Sequence, residues 1–289
     1  MQSIEERIDS TVAFLREKAG KFQNPQMGIV CGSGLSELAN RLKDAVVVPY
    51  AEIPNFSQST VPGHRGELTF GLLSGVPTVC MNGRFHYYEG YDLQQVTLPI
   101  RVLSRLGVRC LLVTNAAGGL DPSFQVGDVM AIEDHISFLS LAGISPLRGP
   151  NLDSFGPRFP ALTRAYHPQT RELLEKAAEM AGFGGLDFIR SGVYCSVGGP
   201  TFETPAEVRL LRSVGGSAVG MSTAAEVAVA VHCGIERILA FSLITNNCIA
   251  DPKAATGAPT HAEVLETAKM RVEQLEGIVE NLVALLFPQ

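Results

Sequence analysis

The chain has 289 residues and a mass of 30.9 kDa, of which 46% are hydrophobic and 18% charged, a composition that excludes disordered, collagen-like and coiled-coil proteins. A net charge of -6 and a pI near 5.6 give no general attraction to nucleic acid or to an anionic membrane, so we expect neither as a partner. Charged residues interrupt residues 1–18, where a secretory signal needs an apolar core, and no apolar run reaches the roughly 18 residues of a membrane span. We therefore expect a cytoplasmic globular protein, organised as one domain over residues 1–289, with a small-molecule partner.

The six cysteines are scattered along the chain and mostly lie inside apolar runs. None has the CxxC spacing typical of zinc or redox sites, so we expect buried thiols and no metal.

Apolar runs of strand length alternate with segments of helical period, which predicts an α/β fold: a central mixed, largely parallel twisted β-sheet flanked by helices. In chain order we predict strands over 27–31, 46–48, 67–73, 76–81, 110–115, 128–136, 189–197, 217–221 and 237–245. The helices are predicted over 35–42, 93–106, 162–181, 205 to about 215, 224–233 and 260–286. Ser74 and Gly75 predict a hairpin turn, whereas residues 139–160 contain four prolines and no period and predict a long functional loop.

Ligands of α/β proteins collect at the carboxyl ends of strands, and four stretches there are unusual: 32–34, 114–119, 220–222 and 245–247. In the first, two glycines let the backbone approach an anion while Ser33 offers a hydroxyl and the following helix offers its N–H groups. A tight turn explains the same three residues equally well. The stretch is not a dinucleotide fingerprint, since Glu37 stands where the third glycine is needed, and no nucleotide-binding GxxxxGK[ST] run occurs.

Arg84 and His86 follow the strand 76–81, and an arginine fork with a histidine donor suits a dianionic phosphate. The alternative is that Arg84 pairs with Glu89 on a solvated loop. His64, taken by itself, is better explained as a loop histidine.

Glu203 precedes a capping sequence, Thr204 to Glu207, in which Glu207 is a structural cap. A carboxylate at Glu203 could accept hydrogen bonds from a ligand N–H, or it could only interact with the helix dipole. Asn246 ends the last strand, where an amide can both donate to and accept from a purine, or simply form a turn. Met221 is by default a core residue and His261 a residue of a helix start.

Taken together, these motifs make the chain resemble the trimeric family of purine nucleoside phosphorylases that prefer 6-oxopurines. The segments that carry the resemblance are 28–35 (GIVCGSGL), 53–68 (IPNFSQSTVPGHRGEL), 83–91 (GRFHYYEGY), 113–128 (VTNAAGGLDPSFQVGD), 134–136 (DHI), 146–151 (PLRGPN), 155–160 (FGPRFP), 198–209 (GGPTFETPAEVR), 219–223 (VGMST) and 242–246 (SLITN).

The resemblance implies that inorganic phosphate is a co-substrate, that no cofactor is needed, and that the chain forms a homotrimer. The implied phosphate ligands are Ser33, His64, Arg84, His86, the backbone at Ala116, and Ser222. For the nucleoside, Glu203 and Asn246 would bind the base, Phe202 would stack on it, Met221 would line the ribose, Tyr88 and His261 would contact sugar hydroxyls, and Phe159 would enter a neighbouring subunit's site. Asn246, Glu203 and His86 are the implied catalytic residues.

The chain departs from the family pattern at two places. Asn247 stands where some relatives have Lys, and Ala224 and Ala225 stand where many have Val-Pro. The first departure bears on base selectivity and the second on the phosphate loop. Residues 250–258, rich in alanine, predict a mobile lid.

Two other functions are weighed against this one. A methylthioadenosine phosphorylase shares the fold but resembles a site with Asp at position 246, so Asn246 argues against it. A catalytically silent nucleoside-binding protein would be expected to lack the phosphate set of Ser33, Arg84, His86 and Ser222.

Overall fold

The computed structural model describes residues 3–33, 35–61, 65–184, 187–248 and 260–288, and in these ranges nine strands alternate with seven α-helices. The strands are β1 (Met27–Cys31), β2 (Lys43–Pro49), β3 (Glu67–Leu73), β4 (Val76–Asn82), β5 (Cys110–Gly119), β6 (Val129–Ser137), β7 (Ile189–Ser196), β8 (Ala218–Gly220) and β9 (Arg237–Asn247). The helices are α1 (Ile4–Ala19), α2 (Leu93–Leu106), α3 (Phe138–Leu141), α4 (Thr170–Met180), α5 (Pro205–Ser213), α6 (Ala224–His232) and α7 (His261–Leu286).

The strands form a mixed sheet in the order β2-β3-β4-β1-β5-β8-β7-β6-β9. Because β9 pairs with β5 as well as with β6, the last five strands of this order close into a ring, while β2, β3, β4 and β1 extend from β5 as an open arm. The pairs β1–β4, β1–β5, β5–β9, β6–β7 and β7–β8 are parallel. The predicted mixed α/β sheet is confirmed, and the ring closure adds to it.

Apolar side chains on the two faces of the sheet form two large cores. One core packs α1, α2 and α6 against the sheet through residues such as Leu15, Ile100 and Val229. The other packs α4 and α7 through residues such as Leu174 and Ile278. The sheet is thus covered on both sides, as expected for strands that read as continuous apolar runs.

Local signals in the sequence explain where most elements begin and end. Ser74 and Gly75 both have positive φ, 49° and 80°, as the two-residue hairpin between β3 and β4 requires. The capping box of Thr204 and Glu207 starts α5, as predicted, with Glu207 Oε2 accepting from the Thr204 backbone at 2.7 Å. Residues 142–169 form no helix or strand, so the predicted long loop is confirmed apart from the short α3.

Two predicted helices are wrong in extent or type. The segment predicted as a helix over 35–42 is a short 3-10 helix, Ser36–Arg41, because Leu35 offers no capping side chain and β2 begins at Lys43. The helix predicted over 162–181 begins only at Thr170. Pro168 explains this start, since a proline disfavours the helical conformation in the residue before it.

Candidate functional site

A cavity of about 540 Å³ lies where the carboxyl ends of β1, β4, β5, β7, β8 and β9 converge. Ten of the predicted site residues line it: Ser33, Arg84, His86, Tyr88, Ala116, Phe202, Glu203, Met221, Ser222 and Asn246. Asn115, Ala117, Gly118, Gly220 and Thr245, which belong to the stretches flagged at the strand ends, also line it, as does Glu89. The sequence did not single out the remaining lining residues, namely Thr60, Val61, Pro200, Val219 and Val264. A cavity of this size fits a ligand of a few hundred daltons.

Of the three other predicted site residues, only Phe159 has a described side chain, and it does not line the cavity. Phe159 is 88% exposed and lies on the long loop. His64, the side chain of His261 and the predicted lid over 250–258 lie outside the described residues. His261 is nonetheless the first residue of α7, which Thr260 caps.

Arg84 forms a buried ion pair at one end of the cavity. Its Nη2 donates to Glu226 Oε2 at 2.8 Å and its Nε to Glu226 Oε1 at 3.2 Å, and both side chains are only 2% exposed. The same guanidinium donates from Nη1 to the Thr114 carbonyl at 2.7 Å and to Ser222 Oγ at 3.1 Å. The expected alternative, a solvated pair of Arg84 with Glu89, is therefore wrong: a buried arginine needs a buried carboxylate, and Glu226 supplies it.

Ser222 and Thr223 form a tight turn beside this ion pair. Thr223 has φ 73° and ψ -59°, a conformation that costs a β-branched residue about 1–3 kcal/mol. The turn is held by Asn115 Nδ2, which donates to Thr223 Oγ1 at 2.9 Å, and by the Thr223 N–H, which donates to Glu226 Oε2 at 3.1 Å. A network of buried hydrogen bonds thus fixes the hydroxyl of Ser222 next to Arg84.

His86 is held by Glu89, whose Oε1 lies 2.8 Å from both the backbone nitrogen and Nδ1 of His86. Burial lowers the pKa of His86, helped by the positive charge of Arg84. Burial would raise the pKa of Glu89, but hydrogen bonds from His86 and Thr60 outweigh it and lower that pKa to about 2. An ionised Glu89 keeps the proton of the neutral ring on Nδ1, which leaves Nε2 as an acceptor. Such a ring can accept a hydrogen bond from the hydroxyl of hydrogenphosphate.

The backbone at Gly32 serves packing. Its N–H donates to Thr114 Oγ1 at 3.0 Å, and a Cβ at this position would lie 2.6 Å from the Asn115 Cα. Gly32 therefore lets β1 approach β5, and its N–H is not available to an anion. Ser33 lines the cavity, and Gly34 lies outside the described residues. The glycines were expected to let the backbone approach an anion, but at Gly32 the close approach is to β5. The helix expected to follow is the 3-10 helix Ser36–Arg41.

The opposite end of the cavity carries Glu203 and Asn246. Burial raises the pKa of Glu203. The Asn246 amide is oriented by its neighbours, since Oδ1 accepts from Thr245 Oγ1 at 3.2 Å and Nδ2 donates to Cys248 Sγ at 3.5 Å. The strand β9 presents this amide because it runs on to Asn247, two residues beyond the predicted end. A carboxylate and an oriented amide at one end can bind the polar edges of a heterocycle.

Between the two ends, Met221 and Tyr88 face the backbone of Gly199. A Cβ on Gly199 would overlap the Met221 thioether and lie 3.2 Å from Tyr88 Cδ1, so only glycine fits there. Tyr88 stacks on His86 with ring centroids 4.6 Å apart. Phe202 is 40% exposed and presents a ring face at the rim.

The departure at Ala224 and Ala225 leaves the turn before α6 intact, since Thr223 and Glu226 still form a capping box. That box is written in the sequence as Thr-Ala-Ala-Glu, a pattern that could have identified Glu226 as a cap of the helix that begins next to Ser222. No sequence pattern identifies its contact with Arg84. Asn247 is exposed at the end of β9.

Over the described ranges, no helix is long and apolar enough to cross a membrane. No group of three or more His, Cys, Asp or Glu side chains in those ranges is placed to hold a metal ion.

Comparison with known proteins assigns the family. The sequence model of the phosphorylase superfamily matches residues 26–284. The purine nucleoside phosphorylase of Bos taurus is 51% identical over 263 residues, which cover 91% of this chain and 89% of that protein. Isoform 2 of the purine nucleoside phosphorylase of Schistosoma mansoni, solved with cytosine and ribose-1-phosphate, superposes with a TM-score of 0.91 at 41% identity and covers 98% of both chains. A purine nucleoside phosphorylase of the same organism solved with inosine gives a TM-score of 0.87 at 44% identity, over 96% of this chain and 97% of that one. The chain therefore belongs to the purine nucleoside phosphorylases of the phosphorylase superfamily.

Proposed function

We propose that this protein cleaves the N-glycosidic bond of inosine and guanosine, and of their 2′-deoxy forms, with inorganic phosphate, giving the free purine base and ribose 1-phosphate. The observation that carries the proposal is the arrangement of one cavity, with Arg84, His86 and Ser222 at one end and Glu203 and Asn246 at the other. The first group suits an oxyanion and the second suits a nucleobase. A ribose between them would have the phosphate on one side and the base on the other.

The reaction exchanges one bond at the anomeric carbon. A phosphate oxygen forms the new C–O bond as the C1′–N9 bond breaks, and the bonding electrons leave with the purine. The purine anion gains one proton to become the free base, and this balances the proton that hydrogenphosphate loses on becoming the ribose 1-phosphate dianion. The transition state resembles an oxocarbenium ion, which the dianion stabilises directly. Phosphate is already a charged nucleophile, so the enzyme needs no carboxylate to activate water and no covalent intermediate. Its own contribution is to position the reactants and to stabilise the leaving group.

Asn246 and Glu203 act on the departing base. As negative charge builds on the purine, the Asn246 amide donates to N7 and hydrogen-bonds at O6, an interaction strongest in the transition state. Glu203 accepts from the N1–H of a 6-oxopurine. An adenine offers only an acceptor at N1, so the carboxylate and N1 would face each other without a proton, at a cost of about 1–3 kcal/mol.

The remaining residues hold the sugar and the anion. Met221 and Tyr88 enclose the ribose against Gly199, and Phe202 covers the purine face. Ser33, the backbone at Ala116 and His64 complete the phosphate site with Arg84, His86 and Ser222. Phosphate is a co-substrate, and we propose no cofactor.

We further propose a homotrimer in which Phe159 of one subunit enters the site of the next. The support is its exposure of 88%, unusual for a phenylalanine, on a loop that is fastened to the body of the protein. Arg105 stacks over Phe155 at 4.3 Å and Arg158 donates to the Leu147 carbonyl at 2.9 Å, so the loop is held in place up to the exposed ring.

The test is to incubate the protein with inosine in the presence and absence of phosphate and to measure hypoxanthine and ribose 1-phosphate. We expect both products in equal amounts, and only with phosphate. Release of free ribose without phosphate would show a hydrolase, and binding of inosine without turnover would show a silent binding protein; either result contradicts the proposal. The trimer is tested by sedimentation of the wild type and of the Phe159→Ala variant, together with the kcat/KM of each for inosine. A monomeric wild type contradicts the proposal. Full activity of the variant contradicts it as well.

A further inference from the structure

We infer that Glu226 is a positioning residue, which orients Arg84 toward phosphate and at the same time holds the turn that carries Ser222. The inference rests on the proposed function, because it takes phosphate to bind at Arg84 and Ser222. It concerns a residue that does not line the cavity and that acts only through its neighbours.

The first step is the geometry of the ion pair. Glu226 accepts from Nε and Nη2 of Arg84, a two-point contact that fixes the plane of the guanidinium as well as its position. The Thr114 carbonyl fixes the Nη1 side at 2.7 Å. The orientation of the arginine is therefore set by protein atoms before any ligand arrives, and Nη1 is held against the cavity-lining Ser222 hydroxyl.

The second step is the turn. Glu226 Oε2, which accepts from Arg84, also accepts from the backbone N–H of Thr223 at 3.1 Å. Thr223 has a positive φ of 73°, so the turn persists only because its surroundings hold it. One carboxylate oxygen thus couples the arginine to the backbone of the turn that begins at Ser222, and displacing it would disturb two phosphate ligands together.

The third step is the sign of the charge. A carboxylate beside an oxyanion site weakens the attraction for a dianion. If attraction for phosphate were the only requirement, an arginine without a buried acidic partner would serve better. The stability of the fold does not require an ion pair either, since apolar replacements of buried ion pairs are often neutral or stabilising. The need to orient the Arg84 guanidinium accounts for Glu226 at this position. Glu89, whose Oε1 holds both the backbone and the ring of His86, is arranged in the same way.

The test separates geometry from charge. Glu226→Asp keeps the negative charge but is too short for the two-point contact, and Glu226→Gln keeps the length but places an amide N–H₂ against a donor of Arg84 or Thr223. Both variants should raise the KM for phosphate by about tenfold to a hundredfold, the effect expected when a binding group shifts by about 1 Å. The KM for inosine should change by less than about threefold. Glu6→Gln is the matched control, since Glu6 occupies the same capping-box position in α1, far from the cavity, and should leave both constants unchanged.

A double-mutant cycle distinguishes positioning from a general loss of stability. In an Arg84→Lys background, where no two-point contact exists, adding Glu226→Asp should raise the KM for phosphate by less than it does beside Arg84, because only the contact with the Thr223 N–H is left to lose. The rise in Tm caused by added phosphate should also be smaller in Glu226→Asp than in wild type, and this can be measured even in a weakly active variant.

A wild-type phosphate KM in Glu226→Asp, or an unchanged effect of that substitution in the Arg84→Lys background, overturns the inference while leaving the proposed function intact. A wild-type protein without phosphate-dependent turnover overturns the proposed function itself. Losses that are confined to the phosphate constants, and an effect of Glu226→Asp that is smaller in the Arg84→Lys background, support the inference.

Discussion

The two ends of the cavity are built differently. At the phosphate end, Arg84 and His86 are 2% and 6% exposed, and buried glutamates hold both side chains. At the base end, Phe202 is 40% exposed, Glu203 and Asn246 are half-buried, and they lie on a turn and at a strand terminus. The end that we propose for phosphate is thus preformed and internally satisfied, whereas the end that we propose for the base consists of side chains that form little of the core. Changes at the phosphate end should therefore damage the fold and the activity together, and changes at the base end should mainly alter selectivity.

The largest expected effect is that of Arg84→Ala. It removes a phosphate ligand and leaves Glu226 buried without its partner, so the free energy of unfolding should fall by about 3–5 kcal/mol. The kcat/KM for phosphate should fall by about a thousandfold or more, as when a charged group at the reacting centre is lost. Urea unfolding and steady-state phosphorolysis of inosine measure the two effects.

The control is Arg109→Ala, which removes an exposed ion pair with Glu236. It should lower the free energy of unfolding by at most about 1 kcal/mol and leave kcat/KM unchanged. Equal losses in the two variants would contradict the comparison.

At the base end, Asn246→Asp should change selectivity while leaving stability nearly unchanged. We expect kcat/KM for inosine to fall by about 10²–10³, since a donor to the departing base is lost, and the preference to move toward 6-aminopurine nucleosides. Competition between inosine and adenosine measures the shift. Asn281→Asp, a matched change on α7 where the amide donates to the Gly277 carbonyl, should leave selectivity as it is. Unchanged selectivity in the Asn246 variant would refute its role.

Gly118→Ala should damage the base end by packing alone. The added methyl group would overlap Cys248 Sγ and lie 3.1 Å from Asn246 Nδ2, so it would move the amide. We expect the KM for inosine to rise by about tenfold, with little change in the KM for phosphate. Gly277→Ala serves as the control, because a methyl group there meets Ala181 at an ordinary 3.4 Å inside a helix. A larger effect on phosphate than on inosine would show that the two ends are not separate.

The smallest expected effect is a pH dependence from Glu203. Burial raises the pKa of this carboxyl above its ordinary value of 4.5. As the pH drops below this raised pKa, the affinity for the purine should fall by up to about tenfold per pH unit. The Glu203→Gln variant should not show this pH dependence. The effect on the free energy of unfolding has the opposite sign. The Glu203 carboxyl binds its proton more tightly in the folded than in the unfolded state. Its contribution to stability therefore falls as pH rises from the pKa of the unfolded state to that of the folded state. Calorimetric titration of guanine and urea unfolding across pH 4–7 test both signs. A wild type and a Glu203→Gln variant with parallel profiles would contradict the assignment.

Much of the fold could be predicted because its signals are local. The turn at Ser74 and Gly75, the capping box at Thr204 and the apolar run of β5 each depend on a few adjacent residues. The start of α4 is also marked locally, by Pro168, although the predicted helix begins six residues before this proline. The closure of the sheet was not predictable, because it depends on β9 pairing with two strands distant in sequence.

The same distinction applies to the site. Polar residues placed after strands predicted where the cavity lies, and motif resemblance supplied roles for its residues. The partner of Arg84 was missed because Glu226 is 142 residues away, whereas Glu89 is the acidic residue nearest to Arg84 in the sequence. The anion-binding role of Gly32 failed for a related reason: its contact is with β5, more than 80 residues further along the chain.

The ring formed by β5 to β9 has a consequence for how copies of this protein can meet. In the described part of the chain, the sheet order ends in one terminal strand that is paired on one side only, and this is β2. That strand begins with Lys43 and Asp44, has an irregular register after Lys43, and ends in Pro49, features that oppose main-chain pairing with another sheet. Amyloid-like growth and strand exchange are thereby discouraged, and assembly is left to side-chain surfaces.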